Sequence, residues 1–191
     1  MITLVGSVVR LEPLAEHHTQ GLFDVLGNDE QAWRWMMVPT PREVSDIESI
    51  VTSYILEREE GIREPFGVVD IDTGRVIGTT SFMDISKAHR SVEIGSTIYA
   101  RDFWRTKVNT ETKYLLLTHA FEVEKYIRVC FKTDSLNTRS QAAITRLGAQ
   151  FEGKFRSHRI RADGTLRDSM YYSIIEEEWP FVKAGLEAKL K

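Results

Sequence analysis

Residues 103–113 read FWRTKVNTETK; an alternating apolar stretch (SVEIGSTIY, 91–99) comes before them and a helix-like one (YLLLTHAFEVEKY, 114–126) after. A strand that passes through a short polar turn into a helix can hold a phosphate, because the first backbone N–H groups of a helix lack internal partners and its dipole favours an anion. Such turns usually rely on glycine. This one has none and carries Arg105 and Lys107 instead, with Thr106 or Asn109 able to cap the helix and Glu111 to complement its positive end. Glu93 is the second residue with usable chemistry. Period-two alternation sends Val92, Ile94 and Ile98 to one face of the strand and Glu93, Gly95, Thr97 and Tyr99 to the other. Gly95 is consistent with a bulge there. His158 sits in a segment, 154–168, with Lys154, Arg156, Arg159, Arg161 and Arg167 against Asp163 and Asp168. That is a solvated ribbon, or a wall that steers an acidic peptide or the RNA beside one. His17, His18, His89 and His119 show no ligand spacing, so no metal site is expected. Cys130 has no adjacent base and is expected to be buried and inert.

The composition narrows the setting for this chemistry. The chain has 191 residues, 42% hydrophobic and 28% charged, with a net charge of −3. It fits a single domain, 1–191, and offers no overall attraction to nucleic acid or an anionic membrane. No apolar run approaches the roughly 20 residues that span a bilayer. MITLVGSVVRLEPL lacks the basic and apolar pattern of a secretory leader. One cysteine cannot form an internal disulfide. These features predict a cytoplasmic protein that does not bind nucleic acid directly; whether it forms a homodimer stays open.

The elements that must position these residues follow from periodicity and turn residues. Residues 2–11 are β-like, and Leu22, Val25 and Leu26 mark a helix over 15–27. WRWMMVPTP is a proline-broken loop, and Ile47, Ile50, Val51, Tyr54 and Ile55 form one helical face that ends at Gly61. FGVVDI and RVIGTTSFMDI flank a hairpin turn at Asp72-Thr73-Gly74, and SVEIGSTIY is the third strand of that group. A helix over 108–126, the strand IRVCFKTD, and a helix capped by Asn137 and ended by Gly148 come next. A ribbon around Asp163-Gly164 and a closing helix complete the chain. This order predicts an α/β fold: a mixed, mostly antiparallel sheet with helices on both faces.

The element order, EIG at 93–95, the turn from Phe103 to Glu111, N-x-x-S at 137–140 and LGA-x-x-EG at 147–153 together resemble the GCN5-related N-acetyltransferases, and within them the RimJ/RimL-like branch that acetylates ribosomal-protein N-termini. The resemblance covers nearly the whole chain. It implies acetyl-CoA as co-substrate, without a metal, and direct transfer of acetyl to a primary amine, chiefly a peptide or protein N-terminal α-amine. It places the family's phosphate loop on Trp104, Arg105, Thr106, Lys107, Val108, Asn109 and Thr110, with Lys107 where the family has glycine. A lysine there adds strain if φ must be positive, and a harmless cation if the helical region suffices. The oxyanion contact is implied at backbone N–H groups around Ile98 and Tyr99, and a pantetheine contact at Asn137. Ser140 is implied as the proton donor to the thiolate, since the slot for the wider family's tyrosine holds Ile144; an ordinary first-turn hydrogen bond is the alternative. Glu93 and His158 are the two candidate bases. Trp33, Trp35 and Met36 lie where the family builds its acceptor pocket. The rival readings are a non-catalytic acyl-CoA-binding or RNA-associated module and an acetyltransferase of small amines.

Overall fold

The computed structural model describes residues 1–191. Eight strands, β1 (Leu4–Val5), β2 (Val9–Pro13), β3 (Arg63–Asp70), β4 (Val76–Ser86), β5 (Ser91–Tyr99), β6 (Arg128–Asp134), β7 (Gln150–Ile160) and β8 (Leu166–Ile175), make one sheet in the order β1-β2-β3-β4-β5-β6-β8-β7. Every neighbouring pair is antiparallel except β5 and β6. A parallel pair needs a crossover. Here it is α4 (Lys107–Thr118), which runs on as a π-helical turn over His119–Val123 and so splits the single helix predicted for 108–126. The other helices are α1 (Thr19–Leu26), α2 (Glu30–Trp33), α3 (Val44–Glu59), α5 (Thr138–Leu147) and α6 (Trp179–Leu190). The mixed, mostly antiparallel sheet matches the expectation. Two local departures are the one-turn α2, which precedes the predicted WRWMMVPTP loop and shares only Trp33 with it, and the division of the first strand into β1 and β2.

The sheet is packed on both faces. Val92, Ile94 and Tyr99 join Val108, Leu116, Leu117, Val129, Phe131 and Leu186 in the larger core, on the side of α4, α5 and α6. Ile98 joins Leu22, Leu26, Trp33, Ile47 and Val51 in the second core, beneath α1, α2 and α3. Strict alternation would have put Ile98 with Ile94. The register explains the difference: Ser81 lies opposite Gly95 but Thr79 opposite Ile98, so β5 carries one extra residue. Ser96, at φ 46°, absorbs it in a left-handed conformation. One inserted residue reverses the facing of everything beyond it. The predicted face of Ile98 and Tyr99 is therefore exchanged, and the bulge sits at Ser96, one residue past Gly95. Past the bulge, opposite Tyr99, Gly78 is obligatory: a Cβ there would lie 2.1 Å from the Ile98 carbonyl oxygen.

Glu111 fastens α4 to the start of β2. Its carboxylate accepts from the Ser7 N–H and hydroxyl at 2.8 and 2.7 Å and from the Val8 and Val9 N–H groups at 2.6 and 2.7 Å. Gly6 permits this approach, since a Cβ would sit 2.4 Å from the carboxylate. The residue is thus committed to this clamp, and the complement to the helix end expected for it is not its main use. Burial alone would raise the Glu111 pKa, but the hydrogen bonds outweigh it and hold the carboxyl below its ordinary value. Its stabilisation is therefore present above the pKa of the unfolded chain and lost as the pH falls through the lower folded pKa. Glu111→Gln should cost about 2 to 3 kcal/mol at neutral pH in urea unfolding. The gap to wild type should narrow as the pH drops below the ordinary 4.5; a gap that persists unchanged in acid would contradict this role.

Candidate active site

β5 and β6 pair at only three positions, Ser91 with Arg128, Val92 with Val129 and Glu93 with Cys130. Beyond them β5 stays with β4 and β6 stays with β8 as far as Asp134. The sheet forks there, with Glu93 at the crotch. On the β5 side of the fork the Ala100 N–H donates to the Ile77 carbonyl at 2.9 Å. By the alternation of an antiparallel ladder, the Tyr99 N–H and C=O point away from β4 and into the fork, while Ile98, opposite Thr79, turns its amide back to β4. The Tyr99 carbonyl accepts from Trp104 Nε1 at 3.0 Å. Of the two residues expected to offer an amide, Tyr99 is the one that faces the gap. Its phenol is buried without a hydrogen-bond partner, and burial pushes its pKa up, so its side chain stays a neutral core group.

The open end of the fork meets the N-termini of two helices. At α4, Thr106 caps the Val108 N–H at 3.3 Å and donates to the Phe103 carbonyl at 2.7 Å. No hydrogen bond ties up the amides of Lys107 and Asn109. Lys107 is the first helical residue and needs no positive φ. The left-handed position is Arg105, at φ 63°. The Lys107 ammonium is turned away, donating to the Leu190 carbonyl at the end of α6 at 2.7 Å, so it is committed to that helix. At α5, Asn137 accepts from the Ser140 N–H at 3.1 Å, which leaves the half-buried Ser140 hydroxyl free of protein hydrogen bonds. Arg139, which no motif singled out, stacks its guanidinium 3.4 Å above the Trp104 ring. Burial and then the neighbouring Arg105 charge lower its pKa. Neither arginine has a salt bridge. Two unneutralised guanidiniums beside two helix N-termini form a site for a polyanion.

The crotch opens onto a second polar group. Glu93 is buried and pairs with Lys132 at 2.6 Å, and Lys132 reaches Asp84 at 2.5 Å. Burial raises the Glu93 pKa, with Lys132 opposing it. Lys132 also lies 5.2 Å from the Tyr171 ring centroid. The Tyr171 hydroxyl meets His158 Nε2 at 3.2 Å, and His158 Nδ1 meets Ser169 Oγ at 3.0 Å. Burial, then Arg159 and Lys132, lowers the His158 pKa, leaving a neutral imidazole near pH 7. The fold thus joins both candidate bases through one chain of contacts, Glu93 to Lys132 to Tyr171 to His158, although 65 residues separate them. Facing β8 is the segment after α2. Trp33 belongs to the core, its Nε1 donating to the Leu26 carbonyl at 2.9 Å, and Met36 packs against the same core. Trp35 is half-buried beneath Arg34. Met37 is the residue that reaches across, to Arg167 of β8. Cys130 is half-buried, and burial raises its thiol pKa, as befits an inert residue.

A forked strand pair leading from two unpaired guanidiniums to a buried polar group is an arrangement that suits a transferase with two substrates. The acetyltransferase (GNAT) domain family matches this chain over residues 9–150. A solved structure assigned as an acetyltransferase from T. thermophilus is 36% identical, with a TM-score of 0.91 over 100% of this chain and 98% of the other. A GCN5-related N-acetyltransferase from Brucella melitensis is 29% identical, with a TM-score of 0.93 over 100% and 86%. YdaF of Bacillus subtilis (strain 168), provisionally named a ribosomal N-acetyltransferase, is 32% identical over 106 residues, 56% of this chain and 57% of that one. The chain belongs to the GNAT acetyltransferase family and is an acetyl-CoA-dependent N-acetyltransferase. In calorimetry with coenzyme A, Arg139→Ala and Arg105→Gly should each weaken binding about tenfold, the loss of one charged hydrogen bond. Lys107→Ala should change affinity less than about twofold, since its contact lies on α6. Arg105→Gly should also hold or raise the melting temperature, because it relieves left-handed strain of about 1 kcal/mol. Unchanged affinity in both arginine variants would contradict the cradle.

Proposed function

We propose that the enzyme transfers acetyl directly from coenzyme A to the α-amine of a peptide or protein N-terminus. The observation that carries this reading is the fork itself. It is an unzipped strand edge with a free Tyr99 amide at one end and a carboxylate, Glu93, at the other. The amides of a pantetheine arm can add to that edge as a partial strand. The diphosphate would lie at the α4 N-terminus between Arg105 and Arg139, and the thioester would point towards the crotch. The amine nitrogen attacks the thioester carbon, the carbonyl oxygen gains negative charge within reach of the β5 edge amides, and the C–S bond breaks as the oxyanion collapses. The amine proton passes through water to Glu93, whose raised pKa makes it a better base than an ordinary carboxylate. Ser140, with its hydroxyl free at the first turn of α5, hydrogen-bonds the departing thiolate and relays to it a proton taken up from water. His158, neutral and held by Ser169 and Tyr171, lines the acceptor side.

The α-amine follows from the cost of deprotonation. At pH 7 a neutral α-amine costs roughly 1 to 1.4 kcal/mol and a neutral lysine roughly 4.6, from unperturbed pKa values of about 8 and 10.4. A single carboxylate acting through water suits the smaller cost. The similarity to YdaF supports a ribosomal target and the RimJ/RimL-like branch, although the match spans just over half of each chain. The test is thiol release in competition between peptides with a free N-terminus and no lysine and peptides with a blocked N-terminus and one lysine. The first set should be preferred across pH 6 to 9, a range of about one unit or more around the α-amine pKa. Preference for the lysine set would overturn the assignment, and inactivity with both together with turnover of small amines would favour the small-amine reading.

A further inference from the structure

Arg167 is a half-buried cation that the fold leaves without an acid. It lies on β8 opposite Arg159 of β7, on the sheet face that carries Ser169 and Tyr171. Its side chain is half-buried, and its Nε is sealed from water without a hydrogen-bond partner. Its Nη1 donates to Met37 Sδ at 3.2 Å, a weak acceptor, and that is the side chain's one hydrogen bond. The acids nearby are engaged elsewhere. Asp134 accepts from Arg161 Nε at 2.6 Å and Nη2 at 3.1 Å, and Glu93 is held by Lys132 at 2.6 Å. Other buried or half-buried cations are satisfied: Arg63 has Glu57, Ser81 and Ser96, and Lys132 has Glu93 and Asp84. Burial works most strongly against the Arg167 charge; Asp134 and Glu93 favour it through space, and Arg159 and Arg161 oppose it. A guanidinium does not shed its proton to escape such a position. A half-buried guanidinium with no acid of its own is a position that a bound anion can complete.

The position says which anion. Arg167 is the contact between β8 and the segment after α2, and it shares its face with Tyr171, which touches both His158 and Lys132. With Nη1 on Met37 and Nε sealed, Nη2, which is neither hydrogen-bonded nor sealed, is the guanidinium nitrogen that a carboxylate oxygen can reach. We propose that Arg167 binds a carboxylate carried by the acceptor close to its amine, so that the preferred acceptors are peptides with an acidic residue next to the N-terminus. This rests on the α-amine reading above and deepens it, by naming the group that sets the choice among N-termini.

Two acceptor pairs test it: the amidated tripeptides Ser-Asp-Gly and Ser-Asn-Gly, and free serine against serinamide. Thiol release by wild type should favour Ser-Asp-Gly over Ser-Asn-Gly about tenfold in kcat/KM, mainly through KM, the size of one charge-assisted pair. Arg167→Gln should abolish that ratio while changing the rate with Ser-Asn-Gly less than about threefold. Calorimetry of the two N-acetylated tripeptides with coenzyme A present should show the same preference without turnover. Equal kcat/KM for the two tripeptides in wild type would overturn the proposal, whatever the variant does. So would a preference that survives Arg167→Gln, or acetylated products that bind equally or not at all. Preference for serine over serinamide alone would replace the acidic peptide with a small acceptor's own carboxylate. No thiol release with any amine would instead remove the transfer reading, and the product calorimetry would still judge Arg167.

Discussion

The structure depends on β5 being a full partner to β4 while it abandons β6 after Glu93. A strand edge left open in the middle of a sheet exposes backbone polar groups, and nothing local in a strand forces the parting. Here the bulge at Ser96 does so, and it is pinned from both faces. From the α3 side, Arg63, stacked 4.0 Å from the Tyr54 ring centroid, donates to Ser81 and Ser96 at 3.1 and 2.9 Å. From the α4 side, Lys113 donates to Thr97 at 2.6 Å, and Thr97 meets Thr80 at 2.8 Å. A left-handed serine costs of order 1 to 3 kcal/mol, and these buried polar contacts offset it. Lys113 has no acid partner, and burial lowers its pKa to about 7. The group that steadies the fork is therefore an amine that holds its proton weakly.

The site then assembles from the fork outwards. The crossover required by the parallel β5–β6 pair starts its helix where the strand ends, which sets the free amides of α4 at the mouth of the gap. α5 starts at the end of β6, on the other lip, and the stack of Arg139 on Trp104, itself bonded to Tyr99, ties the two lips together. Lys107 closes the back of this assembly by neutralising the carbonyl end of α6. Away from these two helix starts, Glu93, Lys132 and Tyr171 form a connected polar group, with Glu93 buried and the other two half-buried.

Much of this was legible in the chain. The order of the main elements, the Asn137 cap, the hairpin turns and the start of α4 to within one residue follow from apolar spacing and cap chemistry, which are local. What escaped was tertiary. Alternation through Glu93 and Ile94 holds, but no pattern in GSTIY announces the extra residue that moves Ile98 and Tyr99 to opposite cores. Lys107 and Arg105 are equally basic on paper; the carbonyl of Leu190, 83 residues away, takes one and leaves the other. Trp33 reads as a pocket residue until the Leu26 carbonyl claims its indole. Arg139 and Arg167 look like solvated surface charges, and only the burial of one and the company of the other single them out. A signal for Arg139 did exist, since it occupies the same N-x-x-S turn as Asn137 and Ser140.

A crystal structure of the protein with coenzyme A bound decides whether the open β5 edge cradles acetyl-CoA. The pantetheine arm should lie between β5 and β6 alongside residues 94–99, with its diphosphate at the N-terminus of α4 between Arg105 and Arg139 and its sulfur directed towards Glu93. Coenzyme A seated elsewhere, or β5 and β6 zipped together past Glu93 and Cys130, would contradict this placement.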